Sequence, residues 1–91
     1  MFVTLDEAKQ YLRVDYGDDD DYLTHLIDSA TAIVRDAGRL TDEEMEEQKD
    51  VTRAATLYCT SYLYEHREAA DMHELTLMLR SILFGVRREK F

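Results

Sequence analysis

Proline is absent from this 91-residue chain and glycine occurs only three times, so almost nothing forbids long helices. No stretch of useful length alternates apolar with polar residues, which argues against strands. A single cysteine, Cys59, cannot close an intrachain disulfide. Basic residues are scarce: 11 Lys and Arg stand against 20 Asp and Glu, a formal charge of -9 that repels phosphate backbones and anionic lipid. A main task of gripping nucleic acid is thereby disfavoured. Apolar runs stay far below the ~20 residues that cross a bilayer, so no membrane role is expected. MFVTLDEAKQ has neither the basic flank nor the apolar run of a signal peptide, so the cytoplasm is the expected compartment.

What remains is 45% hydrophobic and 34% charged, enough apolar material for one core. The expectation is a single all-α domain over residues 1–91. Thr4 and Glu7 have capping-box spacing, and Leu5, Ala8 and Leu12 recur on one face behind them. In VDYGDDDD, Gly17 permits a turn and the aspartates offer N-cap oxygens to the next helix. There Leu23, Leu26, Ile27, Ala30, Ile33, Val34 and Ala37 follow three-and-four spacing, and Gly38 stands where a left-handed C-terminal residue is wanted. Thr41 and Glu44 repeat the box, and no breaker follows until Arg67–Asp71, so one helix of about 25 residues and roughly 37 Å is predicted.

The inner stripe of that long helix should hold Val51, Ala54, Ala55, Leu57, Tyr58 and Tyr62. Asp71 and Glu74 open a last helix carrying Leu75, Met78, Leu79, Ile82 and Leu83 and ending near Gly85. Four helices are therefore expected, at about 5–13, 19–37, 42–66 and 72–84, with a basic tail over 85–91. They should form a compact four-helix domain with short connections, the long third helix paired with the fourth.

Chemistry is thinly represented. The aspartates between Asp15 and Asp21 fail calcium-loop spacing: counted from Asp15, the glycine position holds Asp20 and the glutamate position holds Leu26. Cys59, His66 and His73 lack a fourth zinc ligand, so a buried thiol and two surface histidines are the simpler reading. His25 stands alone, and no phosphate loop or nucleophile elbow is present, so neither catalysis nor a cofactor is expected. Tyr58, Tyr62 and Tyr64 lack the basic groove of a single-strand binder, which leaves core packing or a surface between subunits. Arg80, Arg87, Arg88 and Lys90, with Phe84 and Phe91, make an amphipathic end suited either to the helix dipole or to another protein.

VTLDEAKQYLRVD, DDDDYLTHLIDSA, ATLYCTSYLYEHREAAD and LTLMLRSILFGVRREKF, in this order, resemble the phage head-tail connector (adaptor) family, also labelled phage DNA-packaging proteins. The likeness is distributed over most of the chain and is weakest across residues 39–50. It implies a structural protein of the virion neck, present in the host cytoplasm during assembly. Copies would form a ring, twelve when docked on the portal protein, that extends the DNA channel and carries the next neck or tail-completion protein. DNA would pass without specific binding, aided by lumen-facing acids among Asp18, Asp19, Asp20, Asp21, Glu43, Glu46 and Glu47. Phe84, Arg87, Arg88, Lys90 and Phe91 would form the portal-docking end. The rival expectation is a small acidic phage or prophage regulator that binds a host protein or mimics nucleic acid.

Overall fold

The computed structural model describes residues 2–87. Helix α1, Leu5–Leu12, starts where the chemistry of Thr4 requires: its hydroxyl accepts from the Glu7 amide at 3.1 Å, and the Glu7 carboxylate accepts from the Thr4 amide at 3.1 Å. Arg13, at φ 59°, closes the helix in the left-handed region. Helix α2 spans Asp20–Gly38 and helix α3 spans Asp42–Glu47. Between these two, Thr41 and Glu44 form a second complete box, at 3.1 and 3.0 Å. Helix α4 is Lys49–Glu65 and helix α5 is Met72–Arg87. Among the described residues all regular structure is helical.

The long third helix predicted over 42–66 is instead two helices, broken at Gln48 (φ -108°, ψ 32°). The carbonyl of Met45, which a straight helix would pair with the amide four residues on, accepts the Thr52 hydroxyl at 2.8 Å. That same hydroxyl lies 3.1 Å from the Gln48 carbonyl, so one side chain stitches the break. The bend lets Met45, 3% exposed, enter the core from an otherwise acidic helix.

Gly38 also departs from expectation. It remains helical, and Arg39 (φ 53°) takes the left-handed position while the Leu40 amide bonds back to Arg35 at 2.9 Å. Space explains the glycine: an added Cβ would stand 3.0 Å from Leu40 and 3.3 Å from Leu83. Gly85 does not stop the last helix, which continues to Arg87. A Cβ there would meet nothing within 4 Å, so this glycine neither packs tightly nor turns the chain.

The α2–α4 pair is the centre of the fold, and both α1 and α5 pack on each of its members. Helix α5 runs the full length of one groove. At its start Tyr62 Oη accepts from the Asp71 amide at 3.1 Å and donates to the Asp71 carbonyl at 3.3 Å, and at its end Leu83 meets Gly38. Helix α1 therefore occupies the other groove. The main core gathers Ala30, Val34, Leu40, Met45, Ala55, Cys59 and Tyr62 around Leu75, Leu79 and Leu83. Burying each of these three leucines is worth about 1.5–3 kcal/mol. A smaller cluster of Val3, Ala8 and Ile27 lies under α1.

The inner stripe of α4 differs from the predicted one. Ala54 is exposed, and Thr52, Thr56 and Thr60 are buried instead. Four-residue spacing makes this possible: Thr56 donates to the Thr52 carbonyl at 2.7 Å and Thr60 to the Thr56 carbonyl at 2.8 Å. The Thr56 and Thr60 hydroxyls are satisfied within α4 and that of Thr52 across the break, so a polar ridge packs at little cost.

Candidate functional site

Two surfaces stand out, one polar and one apolar. The polar one joins the start of α2 to the end of α4. Asp19 accepts from Tyr64 Oη at 2.7 Å and from an Arg67 guanidinium nitrogen at 2.8 Å. Arg67 lies over two rings, 4.4 Å from the Tyr64 centroid and 4.8 Å from that of Tyr22. Hydrogen bonds from Tyr64 and then Arg67 hold the Asp19 carboxyl below its ordinary range. The Asp19 carboxylate, followed by the Tyr16 hydroxyl, pushes the Tyr64 phenol up to about 12, and Asp19 raises Arg67 as well. The group fastens the 13–19 loop to the chain leaving α4. The aspartate run was expected to offer cap oxygens to α2; Asp19, which holds the N-cap position, gives no side-chain cap, because its carboxylate is committed to Tyr64 and Arg67.

The first acidic run is thus partly consumed inside the fold. Asp20 pairs with Lys9 at 2.8 Å, while Asp18 and Asp21 are exposed. On α3, Glu43, Glu46 and Glu47 are all exposed. The structure does not gather the two runs into one cluster, and among the described residues no group of three or more His, Cys, Asp or Glu is placed to hold a metal ion. Cys59 is fully buried, which pushes its thiol up to about 12. His66 stacks on Tyr62 with centroids 4.1 Å apart. No helix among the described residues is long and apolar enough to cross a membrane.

The apolar surface is the outward side of α5. Leu75, Leu79 and Leu83 face inward at 0% exposure, whereas Leu77 is 51%, Met78 43% and Phe84 57% exposed. Met78 was expected on the inner face, but the run of three leucines at four-residue spacing leaves it outside, 43% exposed. Leu77 falls roughly opposite that run at 100° per residue, a signal already present in the sequence. Exposed Arg80 lies on the same side, between Leu77 and Phe84. Of the other residues expected at the docking end, Arg87 closes α5, and Arg88, Lys90 and Phe91 lie outside the described residues.

A helical fold with an apolar helix face turned to solvent has the physical features of an assembly subunit. Comparison with known families decides the matter: the family model of phage gp6-like head-tail connector proteins matches residues 2–89. The chain belongs to this family. No curated protein and no solved structure matches it. Membership makes the chain a structural connector, a virion component that assembles with phage head and tail proteins.

Proposed function

We propose that copies of this chain close into a ring beneath the portal, lengthen the DNA channel and carry the next neck or tail-completion protein. The observation that carries the reading is the family match over residues 2–89. The outward face of α5 supports it, because a repeated head-to-tail contact needs an apolar surface that the single chain leaves uncovered. Twelve copies on the portal is the stoichiometry proposed. Phe84, Arg87, Arg88, Lys90 and Phe91 form the portal-docking end. Asp18, Asp21, Glu43 and Glu47 are the acids available to line the lumen, since Asp19 and Asp20 are bonded within the chain and Glu46 stands at a pocket rim. Carboxylates there keep the phosphate backbone from adhering as DNA moves.

Truncation after Arg87 tests the docking end. The truncation keeps every residue of α5 as described, Met72–Arg87, so the shortened chain should keep that helix. Recruitment to portal-bearing heads should be lost; undiminished recruitment contradicts the assignment.

A further inference from the structure

A pocket of about 270 Å³ opens among Phe2, Thr31 and Met45, with Asp42 and Glu46 at its edge. Met45 is almost fully buried beneath it, and Glu46 is exposed. The pocket lies between the segment leading into α1, the middle of α2, and α3. Asp42 already holds Arg35 at 3.0 Å, whereas Glu46 makes no ion pair among the described residues. The outward face of α5 presents the converse: Leu77 and Met78 are about half exposed, and Arg80, three residues beyond Leu77, makes no ion pair among the described residues either. Three residues of helix rise about 4.5 Å, so an apolar side chain and a cation stand side by side on this face.

Helix α5 presents Leu77 away from the α2–α4 pair, so a chain cannot bring this face to its own pocket. We infer that the Leu77–Met78 face of α5 docks into the Phe2–Met45 pocket of a second copy, with Arg80 pairing Glu46 across the contact. The two surfaces differ, so the contact is heterologous: each copy offers one face to the neighbour ahead and the other to the neighbour behind. This assignment rests on the ring reading above and supplies the contact that would close the ring. The apolar pair contributes the buried area, and the charge pair fixes register and excludes the reversed approach.

Cysteines at both positions, L77C and E46C in one chain, give a direct test in assembled particles. Native Cys59 is fully buried and stays out of the reaction. Mild oxidation should produce a ladder of disulfide-linked multimers from purified virions, and neither single variant should do so. Independently, R80E should lower incorporation into particles by at least about tenfold, because like charges face each other at every interface of the ring, and R80E with E46K should restore it. Both side chains are exposed, so the helix content of the purified variants should match the parent. A virion that holds many copies yet gives no ladder and tolerates R80E overturns the surface assignment while leaving the ring intact. An R80E defect that E46K does not relieve overturns the pairing. If particles contain no copy of the chain, the ring reading itself fails, and this inference with it.

Discussion

Val in place of Thr52 and Val in place of Thr56, introduced one at a time, should separate two threonines that look alike in sequence. Both are fully buried on α4, and both substitutions keep the side-chain shape. The Thr56 hydroxyl donates at 2.7 Å to the Thr52 carbonyl, an oxygen that the helix already supplies with an amide donor. Losing that bond costs about 0.5–1.5 kcal/mol, and burying a methyl in its place returns about 0.8 kcal/mol, so T56V should fall within about 0.5 kcal/mol of the parent. Thr52 is different. Its hydroxyl reaches the Met45 carbonyl at 2.8 Å, across the break at Gln48. T52V leaves that buried oxygen without a donor, which adds about 1–3 kcal/mol of loss. Urea and thermal unfolding followed by circular dichroism would read the difference, with about 4–8 °C in Tm for each kcal/mol in a domain of this size. Equal losses in the two variants, or a T52V chain as stable as its parent, would refute the account of the helix break.

Gly38→Ala gains about 1 kcal/mol in helix propensity but forces its Cβ within 3.0 Å of Leu40 and 3.3 Å of Leu83, an overpacking of about 1–3 kcal/mol; denaturation should show a net loss of up to about 2 kcal/mol where an open helical site would gain. Tyr64 is held up to about 12, chiefly by the Asp19 carboxylate, so the protonated phenol is the form the fold favours. Its contribution is complete below the ordinary tyrosine range near pH 10 and is lost as pH climbs toward 12; urea midpoints should fall over that window, and Tyr64→Phe should flatten the fall. Asp19 is shifted the other way: its contribution is present above the ordinary carboxylate range and disappears on acidification through its lowered value, so Asp19→Asn should weaken the acid dependence of unfolding.

Local chemistry was legible in the sequence, and long-range partners were not. Thr4 with Glu7 and Thr41 with Glu44 carry their boxes in three residues, and both form with all their hydrogen bonds. The break at Gln48 has no glycine or proline to announce it; it depends on Met45 turning inward and on a threonine seven residues further along. Gly38 looked like a helix stop because the sequence cannot show Leu83, which arrives from another helix 45 positions later. That an aspartate of the 18–21 run would be drawn off the start of α2 was hidden for the same reason, since Tyr64 and Arg67 lie 45 and 48 residues from Asp19. Buried threonines read as surface until their hydroxyls are seen bonded four residues back. On the exposed side of α5, Leu77 breaks the inner-stripe spacing and so carries a signal in the sequence, whereas the Phe2–Met45 pocket is assembled from three separate segments.

A ring of this chain at the neck, as proposed, should be countable in the finished particle. The decisive measurement is quantitative peptide counting on purified tailed particles of the parent phage, paired with electron microscopy of their necks. A fixed low copy number is expected, about twelve per particle if the ring is rotationally symmetric on the portal, with density confined to the junction of head and tail. Particles with normal tails that contain none of this polypeptide would contradict it.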